Sequence, residues 1–471
     1  MSGFWAELAW LGGPGLEAGV VIEVAGERIV AVNPGVATPP PGLDRLDGLV
    51  MPGLANAHSH AFQRALRGRT HRAQGSFWSW REQMYGLAGR LDPDAVLTLA
   101  RATFGEMALA GVTLVGEFHY LHHGPGGVPY ASPNAIGDAV LEAAAQAGVR
   151  ITLLDACYLH GGIGVEPDAV QRRFCDPDVD AWAARVEALL ARVGGGAAGG
   201  VAGGGGAAGV GAAGVGAAGV GAARVGAAIH SVRAVDPGAA AVVAAWARAR
   251  SAPLHAHVSE QPAENEASLR AYGATPTVVL ERSGALSDLF TAVHATHVSA
   301  DDVALLGAAH AFCCLCPTTE RDLADGIGPA RRLRDCGARL ALGSDSNVQI
   351  EPFEEARAVE LDERLASGIR GQHGGAELLG AATAGGYASL GWPDGGEIRR
   401  GSLADLVAVS RESVRLAGVA DEVLVDALVF AGAAADVRDV VVGGRFVVRG
   451  GEHLALDVPR ELTRAIGAVT P

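Results

Sequence analysis

The sequence predicts a (β/α)8 barrel of the TIM type carrying a small β-sandwich domain built from both chain ends. Three observations predict it. Eight apolar, strand-like runs alternate with helical patterns through the middle of the chain, as βα units with a parallel sheet require. Histidines and carboxylates recur at the ends of those runs, the face on which barrel active sites are built. Both termini, by contrast, read as short β-branched strands broken by turns.

In chain order, "GVVIEVAGERIVAVNPG" reads as two strands around a turn at Ala25 to Glu27, followed by the link "ATPPPG". The first barrel strand ends at His58 in "GLANAHSHAFQRALRG". A helix is expected from about Pro93, with Asp92 as its cap. The next strands are "VTLVGEF" near Glu117, "RITLLDA" near Asp155, "RVGAAI" before His230, "APLHAHV" around His257, "FTAVHA" around His294, "AFCCLC" near Cys316 and "RLALGSD" ending at Asp345. "GSLADLVAVS" and "DVRDVVVGGRFVVRGGE" return to β-structure, the second with a Gly443–Gly444 hairpin turn. The expected division is residues 1–50 and 391–471 for the small β-domain and 51–390 for the barrel. Residues at about 194–223 form a Gly/Ala repeat of period five, which fits neither a helix nor a strand and is expected to loop out before strand four.

Composition narrows the function. In 471 residues, 49% are hydrophobic and 19% charged, enough to bury a large core. The net charge of −15 disfavours nucleic acid and an anionic membrane surface as partners. No basic segment followed by an apolar one opens the chain, and no run of about 18 apolar residues interrupts it, so a cytoplasmic location is expected. Three of six cysteines crowd into "CCLC" and read as small buried hydrophobes rather than a disulfide framework. The chain has no lysine, which excludes a Schiff-base lysine and a lysine bridging two metals.

His58 and His60 stand two apart, so on a strand both imidazoles face one side. His257 and Glu260 close the fifth strand, His294 the sixth and Asp345 the eighth. Three neutral histidines and a carboxylate suit one divalent ion, Zn²⁺ first, with Fe²⁺ or Mn²⁺ as alternatives. His230 after strand four is the one further candidate there, so a single metal is expected.

The motifs "HSHAFQRAL", "SFWSWREQMY", "EFHYLHH", "HSVRAV", "HAHVSEQ", "VHATH", "TTERDLADGI" and "GSDSNV" together resemble the formimidoylglutamate deiminases, in the single-metal deaminase branch of the amidohydrolase superfamily. The resemblance spans nearly the whole chain. It implies hydrolysis of N-formimino-L-glutamate to N-formyl-L-glutamate and ammonia in histidine degradation, by a homodimer. It implies metal ligation by His58, His60, His257 and Asp345. Glu260 and His294 would act on the reacting group, with Asp345 also taking a proton from the attacking water, and Gln63, Arg81, Tyr120, His230 and Arg233 would hold the substrate.

Without that resemblance, Arg81 reads as a surface helix residue, and Tyr120, His122 and His123 read equally as loop packing or as substrate contacts. His255 and His297 read as core or supporting residues, His119, His310 and His453 as structural, Glu354 and Glu355 as a favourable helix start, and Arg64 has no role. Two other functions remain: a deaminase of a heterocycle such as guanine or a triazine, expected to want a stacking pocket, and a non-catalytic barrel scaffold, expected to lack ligands.

Overall fold

The computed structural model of the protein describes residues 2–71, 75–198 and 223–470. Eight parallel strands form the barrel: β1 (Leu54–Ser59), β2 (Val112–His119), β3 (Arg150–Cys157), β4 (Ala223–Ile229), β5 (Leu254–Val258), β6 (Phe290–His294), β7 (Phe312–Leu315) and β8 (Arg339–Leu342). Each pairs with the next in sequence, and most of their residues are buried, which explains their near-continuous apolar character. The ring closes where Ser59 bridges Asp345. Asp345 N–H donates to the His58 carbonyl and His60 N–H to the Asp345 carbonyl, both at 2.9 Å.

The helix Pro93–Leu109 begins as its sequence indicates, with Asp92 accepting the Ala95 N–H at 2.8 Å and proline at its first turn. The amino-terminal mouth of the barrel is plugged by the segment around Tyr387 to Trp392. Tyr387 meets Thr113, the Leu390 carbonyl accepts from Thr152, and the Ser389 carbonyl accepts from His255 Nε2–H at 3.0 Å. His255 and His257 share the inward face of β5, and His255 lies one layer deeper.

Burial lowers the His255 pKa to about 4, against the hydrogen bond to Ser389. A pKa depressed below its unfolded value near 6.5 contributes stability that is complete above that value and is lost as pH falls towards 4. His255→Gln is therefore expected to reduce the stability lost between pH 6.5 and 4 by about 3 kcal/mol, at ~1.4 kcal/mol per pH unit. Denaturant unfolding of both proteins at the two pH values measures this; an unchanged pH slope would contradict it.

The two chain ends form one eight-stranded sheet. Its order runs from Glu452–His453 through Arg445–Arg449, Val437–Val442, Leu406–Val409, Asp44–Pro52, Ser2–Trp10 and Leu16–Ala25 to Arg28–Asn33. The sheet curls over itself: the Phe4 and Phe446 rings meet at 5.7 Å although three strands separate theirs. Sandwich packing thus comes from one folded sheet around Phe4, Ile22, Leu46 and Val441. The Gly443–Gly444 turn joins Val437–Val442 to Arg445–Arg449 with φ of 56° and 75°, the left-handed geometry a two-residue hairpin needs.

Two features differ from the sequence expectation. Residues 194–198 of the Gly/Ala repeat continue the helix Val179–Ala198, and β4 begins at Ala223; the rest of the repeat, 199–222, lies outside the described residues. The carboxy-terminal region is not all β. Its helix Val458–Val469, capped by Asp457, packs Val458 and Leu462 against Ala102 of the helix Pro93–Leu109. Among the described residues no helix is long and apolar enough to cross a membrane.

Candidate metal centre and active site

At the carboxy-terminal end of the barrel, the ligand atoms of His58, His60, His257 and Asp345 lie within 4.8 Å of one another, and all four residues are buried. Asp345 Oδ1 is 3.4 Å from His58 Nε2 and 3.3 Å from His60 Nε2, while His257 Nε2 stands 3.2 Å from His58 Nε2. The second nitrogens of two rings are committed elsewhere. His60 Nδ1–H donates to the Phe118 carbonyl at 2.9 Å, and His257 Nδ1–H to the His230 carbonyl at 2.8 Å. Their unprotonated Nε2 atoms therefore face Asp345 and His58, the tautomer a metal requires. Gly343 makes the close approach possible, since a Cβ there would fall 2.7 Å from His58 Cβ.

Electrostatics agree with that geometry. Burial lowers the His58 pKa to about 3, against its hydrogen bond with Asp345, and burial also lowers His60 and His257. All three rings are neutral near pH 7, the ligating form. Burial raises the Asp345 carboxyl, but the His58 hydrogen bond and the neighbouring imidazoles outweigh it and hold it well below the usual carboxylate range. A buried donor set of three imidazoles and one carboxylate fits a divalent cation.

The backbone around the set is strained. Ser259, His294, Ala295, Asp345 and Asn347 have positive φ between 46° and 68°, and they lie at the ends of β5, β6 and β8. Such residues each cost about 1–3 kcal/mol and persist where neighbours fix them. Here the fixing bonds include His297 N–H to the Ser259 carbonyl at 2.9 Å and Ala295 N–H to the Val258 carbonyl at 3.1 Å.

A cavity of about 350 Å³ opens over these four residues, and His60, His257 and Asp345 form part of its floor. Gln63, Arg81, Tyr120, His230, Arg233 and Glu260 line its walls, whereas His58 and His294 lie beneath. Gln63 Nε2–H donates to Tyr120 Oη at 3.0 Å, and Gln63 Oε1 is buried without a protein partner. Arg81 is no plain surface residue: its guanidinium lies 4.5 Å from the Trp78 ring centre and 5.4 Å from that of Tyr85. Among the described residues no carboxylate stands within 4.0 Å of it. Arg233 donates to Glu260 Oε2 at 3.2 Å and keeps Nε buried without a partner.

His230 sits against Tyr158, ring centres 4.5 Å apart, and its N–H donates to the Cys157 carbonyl at 3.1 Å. Burial, then the nearby Arg233 charge, hold it well below its ordinary pKa. The seven-residue register of β4 on β3 carries His230 and Arg233 to the cavity wall independently of the repeat that precedes them. Replacing residues 199–222 by a six-residue linker, within the usual length of a loop before a strand, should leave bound metal and kcat/KM within about threefold of the full chain. A large loss of kcat/KM with intact metal would contradict it.

Sequence reasoning missed several residues here. Glu264 lines the cavity from the helix Pro262–Tyr272, accepts the Glu260 N–H at 3.2 Å, and is raised to about 7 by burial against the opposing Arg233 charge. Its spacing four residues after Glu260 at a helix start was the available signal. Phe77, Trp80, Tyr85, Tyr158 and Phe174 make the wall strongly aromatic. Glu320 contacts His294, and Arg64 clamps Glu106 while donating to the Asn347 and Val348 carbonyls at 2.6 Å, so it braces the loop after Asp345. Glu355, beyond favouring its helix start, accepts the Thr318 N–H at 3.0 Å. His119, His122 and Asp155 also cluster, but both Asp155 oxygens already accept from Arg185, at 2.7 and 2.9 Å, so a guanidinium holds the cationic position.

The sequence profile of the amidohydrolase family matches residues 49–447. The chain belongs to that family. It is 36% identical over 465 residues to the formimidoylglutamate deiminase of Pseudomonas aeruginosa, covering 96% of each chain. It superposes on an amidohydrolase from Brucella melitensis with a TM-score of 0.88, at 33% identity and complete coverage of both chains. A zinc-bound adenosine deaminase from Xanthomonas campestris, 23% identical with a TM-score of 0.81 over 98% of this chain and 96% of its own, shares the fold. Within the family frame, the barrel face carrying His58 to Asp345 is the place to look for chemistry.

Proposed function

We propose that this amidohydrolase converts N-formimino-L-glutamate and water to N-formyl-L-glutamate and ammonia. The observation that carries the reading is the pairing of one His₃Asp ligand set with a cavity holding two arginines, Arg81 and Arg233, for a substrate with two carboxylates. The likeness to a deiminase over 96% of both chains supports it. His58, His60, His257 and Asp345 would hold a single divalent ion. Once bound, such an ion acts as a Lewis acid and lowers the pKa of water to about 7.

The remaining steps fall to the side chains. Asp345 Oδ2 takes the proton that the water loses as its oxygen bonds to the formimino carbon. Burial lowers the His294 pKa, but the Glu320 hydrogen bond and the carboxylates 3.9 Å from Nε2 outweigh it and push it up, so the ring stands as a hydrogen-bond donor beside the developing tetrahedral centre. Glu260 gives its proton to the imino nitrogen as the oxygen bonds; the proton held by Asp345 then passes to the same nitrogen while Glu260 takes the hydroxyl proton back, so the carbon–nitrogen bond breaks and both water protons leave in ammonia. Arg81 and Arg233 hold the carboxylates, while Gln63, Tyr120 and His230 supply hydrogen bonds around them. We assign zinc as the ion, histidine degradation as the context and a homodimer as the assembly, on the resemblance of the motifs.

The aromatic wall favours a second reading, deamination of a heterocycle such as guanine. Part of that wall, however, carries the Arg81 cation on Trp78 and Tyr85. Metal analysis with an ammonia assay on N-formimino-L-glutamate and on guanine decides between them. Ammonia from guanine alone would reject the proposal, and a complete ligand set speaks against a bare scaffold.

A further inference from the structure

β7 is a barrel strand to which the sequence assigns no chemistry, yet its end reaches the site from behind. Past Cys316 the chain enters the short helix Pro317–Asp322, which carries Glu320. The Glu320 carboxylate is buried and pinned: Oε1 accepts the Cys316 N–H at 2.8 Å. The same oxygen lies 3.3 Å from His294 Nδ1.

Around the His294 ring lie the His58 and His257 rings and Cys316, and Glu320 is the residue that hydrogen-bonds it. His294 is fully buried with φ of 68°, and its ring stacks on His257 at 5.6 Å with 15° between the planes. Stacking fixes the plane of a ring but does not distinguish its two edges. Nε2 has no protein partner, standing 3.9 Å from both Glu260 Oε1 and Asp345 Oδ2. Among the described residues, Glu320 is the one side chain with a hydrogen bond to Nδ1. Asp325 Oδ1 accepts from Gln261, and its Oδ2, buried without a partner, makes no hydrogen bond to His294.

We propose that Glu320 is a positioning residue, fixing Nδ1 as a proton-bearing nitrogen of His294 and aiming Nε2 at the reacting atoms. A half-turn about the His294 Cβ–Cγ bond would exchange Nδ1 with a carbon and move Nε2 away from the site. The Glu320 hydrogen bond is what opposes that turn. This inference rests on the reading above in placing His294 at the reacting group.

The test compares Glu320→Met and Glu320→Ala, which cannot accept a hydrogen bond, with Glu320→Gln, which can. Expected for the removal variants is a fall in kcat of about 10–100-fold, the cost of misplacing a reacting group by about 1 Å, with KM within about threefold and one metal per chain. Glu320→Gln should recover at least about tenfold of that loss. Crystal structures of the metal-loaded proteins should show the His294 ring turned in the removal variants and held in Glu320→Gln.

Wild-type kcat in Glu320→Met, an unturned ring, or equal losses in all three variants would overturn the proposal. So would failure of both removal variants to fold while Glu320→Gln keeps wild-type turnover, since that assigns Glu320 to stability alone. Ratios are taken on whichever substrate the wild-type protein hydrolyses, so inactivity towards N-formimino-L-glutamate would reject the substrate reading and leave the Glu320 comparison intact.

Discussion

Asp345→Asn is expected to lower ammonia release by at least about 10³-fold, some 4 kcal/mol of transition-state stabilisation. The size follows from two jobs held by one carboxylate. Oδ1 faces His58 and His60 at 3.4 and 3.3 Å, and Oδ2 faces His294 Nε2 at 3.9 Å. Asparagine keeps the shape and the backbone bonds that close the barrel, Asp345 N–H to the His58 carbonyl and His60 N–H to the Asp345 carbonyl. It loses the negative charge and the basic oxygen to which the proposed mechanism assigns cation binding and the water proton. Bound metal should therefore fall with activity in a buffered titration while the fold persists by circular dichroism. Ammonia release within about tenfold of wild type, with full metal content, would remove Asp345 from the mechanism.

How far the sequence foretold the site depends on how each residue is held. His58, His60, His257 and Asp345 were legible because each stands at a strand end and the two-residue strand period puts the first pair on one face. Glu320 was not legible, because it acts through a short helix that returns towards β6, a contact across 26 residues that no local spacing encodes. The role of Arg64, next to Gln63, is hidden in the sequence for the same reason: its partners Glu106, Asn347 and Val348 come from distant parts of the chain.

The fold divides similarly. Alternating βα runs gave the barrel order, but the curl of the terminal sheet depends on the Phe4–Phe446 meeting, which pattern alone cannot place. The helix Val458–Val469 did carry a signal, Asp457 as cap with proline in the first turn, that the β-rich neighbourhood obscured. At the Gly/Ala repeat, residues 194–198 extend a helix already stabilised upstream, where Trp182, Val186 and Leu189 are buried, so packing overrides the weak helix preference of glycine.

The two arginines should separate cleanly in kinetics, although both line one cavity. Arg81 rests on Trp78 and Tyr85 with no carboxylate within 4.0 Å among the described residues, so Arg81→Met removes a partner for the substrate and little else. A hydrogen-bonded charge pair contributes about 1.5–3 kcal/mol, so KM should rise by about 10–100-fold with kcat within about threefold. Arg233 also donates to Glu260 at 3.2 Å and opposes the burial that raises Glu264 to about 7. Arg233→Met leaves both carboxyls without their cation, and Glu264 is pushed higher still. The proton donor for the leaving nitrogen is then misplaced, so kcat should fall by about 10–100-fold in addition to a rise in KM, and kcat/KM by about 10³-fold or more. Arg233→Lys keeps a charge without the planar fork that reaches two carboxylates at once, so it should restore kcat only in part. Equal effects of Arg81→Met and Arg233→Met on kcat would show that the Arg233–Glu260 contact does nothing for proton transfer. Unchanged KM in both would show that this cavity does not recognise a dianion, and the aromatic wall would then define the substrate.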